Sequence, residues 1–472
     1  MNDEKREMKP EESKPAETKG AERERVSDKE FAELLSQKLK FEELMKMLPQ
    51  MRTSDGDLVK GVEWLDPKRE SQRNEFLKKP EFAKQRRLLA ERLKLWVEAL
   101  SASDDPDAVR KVINEKMTKL EANLDKNMKH VLDAGREVET TYRAIDKFFT
   151  NAQREPDEKV NAWFANASVE ELLDPNDREK FETLAKAISD LYREFSIKEC
   201  FSIAVIPGWL GSVENVDTVA RQLGLPNKVH VITDLPNLEK FDEVMDMLEN
   251  PVYASMAGID DYKQYVSMWA NWVMARESSQ YEDEDLWIPP SSVVAGLIYQ
   301  RDSKGDIHQP SAGFKFGKIA DAKYLRFRAN QPDASKIIAK GVNTMVNFEG
   351  AAVAMGAATL STKETFNVYS IRRTYDYVYK ALRNYLNKQA FAVIDENFIR
   401  TLKDDLLRFL QKNTGPGKIL DGSEVNVFAD QEMRRRQEVD IKVSLNPRYP
   451  ARTFNIEFLA WNQDNKTNVK DK

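Results

Sequence analysis

Residues 341–461 are the part of this chain that decides its fold. They read GVNTMVNFEGAAVAMGAATLS at 341–361, NVYSIRRTYDYVYKALRNYLNKQAFAV at 367–393, ENFIRTLKDDLLRFL at 396–410, EVDIKVSL at 438–445 and RTFNIEFLAW at 452–461. The first run favours short strands, the next two are amphipathic helices, and the last two alternate apolar and polar residues as strands do. None of these runs holds a catalytic motif. Their order is typical of a domain that joins copies of itself.

The two closing strands are candidates for contacts between subunits. Their connector, 446–452, contains two prolines and is too long and irregular for a tight hairpin, so the strands can pair with different chains. An exposed strand edge accepts a strand from a neighbour. The alternative is that both strands close a sheet within one chain. The apolar positions expected at the contacts between subunits are Val439, Ile441, Val443, Phe454, Ile456 and Phe458.

Composition limits the classes of function that this chain can have. With 472 residues it should form two or three domains, and 73 basic against 79 acidic residues leave a net charge of only -6. We therefore expect neither nucleic acid nor a membrane as a partner. Cys200 is the single cysteine, so no internal disulfide can form, and no apolar run reaches the ~18 residues of a membrane span. A cytoplasmic protein is the expectation.

We predict a mixed α/β (α+β) protein built from five segments. The strand candidates FSIAVIP and VHVIT, separated by helical patterns, mark the beginning of an α/β domain, whereas 262–276 is predicted as a helix. The segments are a disordered charged tail at 1–26, a helical N-terminal region at 27–198, a central α/β domain at 199–338, a C-terminal domain at 339–462 and a polar tail at 463–472.

The strongest helical pattern lies at 107–151. Apolar residues recur there at steps of three and four, from Ile113, Met117, Leu120 and Leu124 onward. Such a stripe is usually a core or bundle face. The alternative is a free helix that forms a coiled coil with a partner.

The sequence contains little that suggests catalysis. The three histidines have no second histidine at metal-ligand spacing. PGWLGS at 207–212 lacks both the GxGxxG pattern and the lysine of a P-loop, which favours a plain turn. EDED at 282–285 is interpreted as a solvated loop rather than a cation site. We predict a non-enzymatic protein with no catalytic, cofactor-binding or metal-binding residues. An enzyme with a phosphate-binding loop at 207–212 is the alternative.

Residues 341–461 resemble the C-terminal domain of contractile tail-sheath proteins. The matching features are the GAATLS run at 356–361, the arginine pair Arg372 and Arg373 that opens a helix, the DEN joint at 395–397 and the two closing strands. The helical region and mixed domain upstream resemble the large sheath subunit of type VI secretion systems, the TssC or VipB kind, in a divergent branch.

The resemblance implies a cytoplasmic helical sheath that contracts to drive a tube outward. Its partners would be copies of itself, a small TssB/VipA-like subunit, an Hcp-like inner tube, a baseplate and an AAA+ ClpV-like unfoldase. The alternative within this class is the sheath of a phage-derived injection device, which needs no small subunit.

Two further sites depend on the same resemblance. One helix of the C-terminal domain would face the tube, and the basic residues of the helix at 372–389 are the candidates: Arg373, Lys380, Arg383 and Lys388. Their ordinary role would be a solvated helix face. The predicted helix at 28–48 would present Phe31, Leu34 and Leu35 to the unfoldase, with core packing as the alternative.

Overall fold

The computed structural model describes residues 75, 79–85 and 106–457, apart from 154, 156–157, 175–177, 194–195 and 453. The chain divides into two compact units, Met1–His130 and Val131–Lys472. The described helices, besides short turns, are α1 (Pro106–Ala152), α2 (Val169–Leu172), α3 (Glu179–Arg193), α4 (Val213–Val219), α5 (Phe241–Glu249), α6 (Pro290–Ser303), α7 (Gly313–Phe316), α8 (Gln331–Ala339), α9 (Tyr369–Asn387), α10 (Glu396–Lys412) and α11 (Gln431–Arg435).

The described strands form one large sheet and two small ones in the second unit. They are β1 (Ile203–Val205), β2 (His230–Asp234), β3 (Val266–Trp269), β4 (Val273–Arg276), β5 (Leu286–Ile288), β6 (Val342–Phe348), β7 (Ala351–Met355), β8 (Leu420–Phe428) and β9 (Asp440–Pro447). The large sheet has the order β1-β2-β3-β6-β7. Its first four strands are parallel, and β7 turns back antiparallel to β6. The prediction of a mixed α/β protein is confirmed.

Both faces of the large sheet are covered. Because successive side chains of a strand point to opposite faces, Val231 and Ile232 of β2 belong to different apolar cores, as do Met268 and Trp269 of β3. The first core includes Phe181, Val216, Leu223, Val244 and Ile337, which come from helices α3, α4, α5 and α8 and from the π-helical turn after α4. The second includes Ala144, Val293, Ile298 and Ile371, from α1, α6 and α9. Burial on both faces explains the continuous apolar runs of these strands.

Two predictions about the central region are wrong. The helix predicted at 262–276 is a short turn followed by β3 and β4. The domain boundary predicted between 338 and 339 falls before the last residue of α8 and leaves β6 in the C-terminal domain, although β6 is hydrogen-bonded to β3 inside the central sheet. The Asn343 side chain of β6 also accepts from the backbone N–H of Ala358 (2.7 Å). The central domain therefore extends past the β6–β7 hairpin.

A third core supports the C-terminal part of the chain. Helices α9 and α10 pack their apolar stripes onto the inner face of the β8–β9 sheet. Asp395 caps α10 by accepting from the backbone N–H of Phe398 (2.6 Å). The residues of this core include Val378, Leu382, Leu402, Leu406, Leu410, Leu420, Val425 and Val427. Within the described residues, no helix is both long and apolar enough to cross a membrane.

Candidate assembly surfaces

Charged side chains of α9 connect it to the central sheet domain. Arg373 is buried, and its guanidinium pairs with the carboxylate of Asp302 at the end of α6, with Nη1 3.1 Å from Oδ1. Lys380 is also buried. Its ammonium donates to the backbone carbonyls of Phe201 (2.7 Å) and Lys228 (2.9 Å), and burial lowers its pKa to about 8. These contacts fix α9 against the sheet.

The prediction that Arg373 and Lys380 face an inner tube is therefore wrong. A side chain buried within its own chain and paired there cannot reach another protein. Arg383 is half-buried, since its guanidinium donates to the carbonyl of Tyr192 (3.0 Å) and lies 4.5 Å from the centre of that ring. Lys388 is exposed at the end of α9. For these two residues, contact with a tube stays a prediction.

Sequence reasoning missed the role of Arg372. This guanidinium forms an ion pair with Asp376 one turn later (2.8 Å) and lies over the rings of Phe366 (4.5 Å), Tyr265 (5.3 Å) and Tyr375 (5.5 Å). Arginine stacks readily on aromatic faces when it is partly desolvated. The arginine pair that opens α9 is thus a structural anchor. The nearby aromatic residues in sequence, Phe366 and Tyr375, were the available signal.

Strand β9 closes a sheet within the chain. It runs antiparallel to β8, with Ile441 opposite Val427 and Val443 opposite Val425. The side chains of Val439, Ile441 and Val443 pack against the third core. Strand pairing uses the backbone, and β8 occupies only one edge of β9, so for Val439, Ile441 and Val443 contact between subunits through the other edge stays a prediction. The outer edges of this two-stranded sheet have no strand partner among the described residues.

The residues after β9 do not continue its strand and expose their apolar side chains. Residues 451–457, of which 453 is outside the described residues, form no strand. Phe454 is 78% exposed and Ile456 is 75% exposed, although both are large apolar side chains. Phe458 lies outside the described residues. Two apolar residues at alternate positions on an unpaired, exposed segment are what an added strand would require. For Phe454, Ile456 and Phe458, contact between subunits stays a prediction.

In the first unit, helix α1 exposes its apolar stripe. Met117, Leu120 and Leu124 are each about half exposed, and Met128 is also exposed. The predicted helix is present, but these residues have no core to cover them within the part of their unit that the structure describes. Both interpretations of the stripe, a core or bundle face and a helix that pairs with a partner, stay predictions, because most of the first unit lies outside the described residues. The unfoldase candidates Phe31, Leu34 and Leu35 lie outside the described residues.

In the second unit, an ion-pair network holds the end of α1 to the acidic loop after β4. Arg276 donates to both Glu139 of α1 (2.7 Å) and Glu282 (2.6 Å), and Arg136 reaches the backbone carbonyl of Asp285 (2.5 Å). The Glu282 side chain is almost fully buried. The interpretation of 282–285 as a solvated loop is therefore wrong at Glu282. A network of this kind positions a helix more than isolated surface pairs do.

Acid should weaken this network. The Arg276 guanidinium holds the pKa of Glu139 and of Glu282 at about 2 each, below the ordinary 4.5. A carboxyl whose folded pKa is depressed adds stability above its unfolded pKa, and that stability is lost as the pH falls through the folded pKa. We expect Arg276→Met to destabilise the chain at neutral pH, and this difference should shrink between about pH 4.5 and pH 2. Urea unfolding at several pH values measures it. A constant difference, or an equal one for exposed Arg435→Met, would contradict the network.

The loop at 207–212 is used for internal structure. The N–H of Gly208 donates to Oδ2 of Asp234 (2.8 Å), and the N–H of Ser291 donates to Oδ1 (2.7 Å). Asp234 is fully buried, which raises its pKa to about 7. Ser212 caps α4. A phosphate would need free N–H donors, yet this loop directs one of them at a carboxyl group. This geometry gives the alternative of a phosphate-binding loop no support. Within the described residues, no His, Cys, Asp and Glu side chains group to hold a metal ion.

Three protein-family models match the chain in sequence order. The model for the TssC/VipB-like N-terminal region matches 56–128, that for the central domain of type VI secretion system TssC/VipB matches 130–362, and that for the TssC/VipB-like C-terminal domain matches 368–472. Together they span most of the sequence. The chain belongs to the TssC/VipB family. The border between the last two models also falls after the β6–β7 hairpin.

Individual proteins are similar to parts of the chain. A tail sheath protein of Vibrio phage KVP40 is 22% identical over 192 residues, which are 39% of this chain and 28% of that protein, so the chain spans less than a third of this curated relative. A chain of the contracted helical sheath of the anti-feeding prophage has a TM-score of 0.49 at 15% identity, over 68% of this chain and 82% of that one. For the contracted PVC sheath complex of an extracellular contractile injection system, the TM-score is 0.45 at 16% identity, over 66% and 90%.

Proposed function

We propose that this chain is the large subunit of a cytoplasmic contractile sheath. It assembles with a small sheath subunit around an inner tube, and contraction drives the tube outward. The observation that carries the proposal is the succession of three TssC/VipB models from 56 to 472. The chain would work mechanically rather than as an enzyme. The anchoring of α9 by Arg372, Arg373 and Lys380 supports this role, because a subunit that transmits force needs its parts fixed together.

The experiment is co-expression with a small TssB/VipA-like sheath subunit, followed by negative-stain electron microscopy. Hollow cylinders with a cogged edge are the expected result. Cylinders formed by this chain alone would favour the sheath of a phage-derived injection device, which needs no small subunit. Soluble particles without any cylinders, under conditions in which both chains are folded, would overturn the proposal.

The stripe on α1 is the proposed site for the small subunit. A helix of that partner would cover Met117, Leu120, Leu124 and Met128, which recur at the three- and four-residue steps that a helix pair buries. Exposed apolar stripes of this kind mark interaction surfaces.

Charges placed in the stripe should therefore abolish capture of the small subunit. We expect Leu120→Asp with Leu124→Asp to lower the amount of partner that is co-purified by at least about tenfold, which corresponds to about 1.4 kcal/mol. The matched control is Thr118→Asp with Ala122→Asp, which adds the same charge to the opposite side of the helix. Equal loss from both pairs, or from neither, would contradict the site.

Two further proposals, a contact with the inner tube and a binding site for an unfoldase, concern residues that were named from the sequence. Lys388 and Arg383 would contact the tube. If Lys388→Glu with Arg383→Glu leaves tube co-assembly unchanged, that contact is wrong.

The helix predicted at 28–48, with Phe31, Leu34 and Leu35, would be recognised by an AAA+ unfoldase. Removal of residues 1–48 should abolish unfoldase binding while folding persists, and unchanged binding would reject it.

A further inference from the structure

An exposed aromatic pair lies at the end of the β6–β7 hairpin. The rings of Phe314 in α7 and Phe348 in β6 stack with their centres 4.0 Å apart, and both remain about half exposed. Helix α7 is held tightly there, since the N–H of Ala354 donates to the carbonyl of Gly317 (2.8 Å). A Cβ at Gly317 would lie 2.4 Å from the carbonyl oxygen of Ala354, so only glycine permits this approach. The pair is thus a rigid apolar surface.

The loop between α9 and α10 presents a second apolar feature. Phe391 is fully exposed and Val393 is 81% exposed. Phe391 also has a φ of 69°, in the left-handed region that residues other than glycine rarely adopt. The loop makes a tight turn at its far end, where the N–H of Asp395 donates to the carbonyl of Val393 (3.1 Å). A strained residue that holds an aromatic ring in solvent is the kind of outlier found at functional positions.

Charges around the two features have opposite sign. Lys315, Lys318 and Lys323 are exposed beside the aromatic pair; the acidic residues next to them in sequence are Glu349, which follows Phe348, and Asp321, which pairs with Lys147. The backbone of Lys323 lies against the hairpin because its carbonyl accepts from the Asn347 side chain (2.6 Å). At the loop, Asp395 and Glu396 follow Val393 and are both exposed, with Lys388 on the other side of the loop. One oxygen of Asp395 caps α10, and Glu396, although its side chain is 92% exposed, lies 3.6 Å from the guanidinium of Arg434. An acidic apolar loop and a basic apolar surface complement each other.

We propose that the 389–395 loop of one copy docks on the Phe314 and Phe348 pair of the next copy. Phe391 packs against the two rings, and Asp395 and Glu396 lie toward Lys315 and Lys318. Aromatic rings favour such stacked or edge contacts. The contact joins two different surfaces of the same chain, so it is heterologous and produces an open, helical series rather than a closed dimer. It rests on the proposed function, because a helical sheath needs contacts of this kind.

Cross-linking between two cysteine variants tests the contact directly. In a Cys200→Ser background, which removes the single cysteine, Phe391→Cys is made in one tagged chain and Phe348→Cys in another. Both are co-expressed with the small subunit. Oxidation should give the mixed dimer at least about tenfold faster than the control pair of Phe391→Cys and Val252→Cys, because a shared interface raises the local concentration. Val252 is 70% exposed and lies outside the proposed contact. Equal rates for the two pairs would overturn the contact.

A glycine substitution separates assembly from folding. Phe391→Gly removes the ring and relieves the left-handed strain, so its unfolding temperature should stay equal or rise by up to about 2 °C. Cylinders should nevertheless become short or absent, as with Phe348→Ser, whereas Val252→Ser should assemble normally. If the unsubstituted chain forms cylinders and Phe391→Gly forms them equally well, this contact is wrong and the proposed function stands. If the unsubstituted chain forms none, the proposed function fails, and the cross-linking rates in solution still decide the contact.

Discussion

Replacing Arg373 by methionine is expected to remove about 1.5–3 kcal/mol from the free energy of unfolding of the second unit. The guanidinium is buried, and its carboxylate partner Asp302 belongs to α6 on the same side of the central sheet. Methionine fills a similar volume but leaves that carboxylate without its counter-charge. Urea unfolding, followed by the intrinsic tryptophan fluorescence of the chain, measures the loss.

The matched control is Arg408→Met on α10, where the arginine side chain is 69% exposed and pairs with Asp405 at the surface. A surface pair contributes at most about 1 kcal/mol, so Arg373→Met should cost more than Arg408→Met. Equal effects would mean that Arg373 is not held as described. A tube contact through Arg373 would instead predict normal unfolding together with lost tube binding.

Local pattern was enough to predict several elements. The long helix α1, the helices α9 and α10 and the alternation of β9 all follow from the spacing of apolar residues, which depends only on neighbours in sequence. The region at 262–276 was misread because Tyr265, Met268, Trp269 and Trp272 happen to recur at helical steps. In a strand buried on both faces, nearly every position is apolar, so the spacing of the apolar residues does not distinguish a strand from a helix.

Contacts between distant residues could not be predicted. The domain boundary was placed too early because β6 pairs with β3, Val342 opposite Met268, across more than 70 residues of sequence. Arg373 and Lys380 were interpreted as an exposed face because helical spacing shows which residues share a side, not what covers it. Their partners are Asp302 and two backbone carbonyls. Every residue has a backbone carbonyl, so residue type does not indicate which carbonyls accept a hydrogen bond from a distant side chain.

Placing aspartates at Phe454 and Ile456 is expected to abolish cylinders while leaving the fold of the single chain unchanged. Both side chains are mostly exposed, so their replacement should change the free energy of unfolding by no more than about 0.5 kcal/mol. In the proposed sheath, the segment adds as a strand to the open edge of a neighbour's β8–β9 sheet. Backbone hydrogen bonds, each worth about 0.5–1.5 kcal/mol, would hold it, and the two apolar side chains would fix its register.

Asn455→Asp provides the control, since it adds negative charge between the two positions but on the other face of an extended segment. It should leave cylinder length, counted by negative-stain microscopy, close to that of the unsubstituted chain. Normal cylinders from the double variant would show that the segment is not an exchanged strand. Loss of cylinders from the control as well would point to charge rather than to the apolar face. Because a strand added by its backbone can pivot without breaking, this linkage is the one through which neighbouring subunits could stay joined while the sheath shortens.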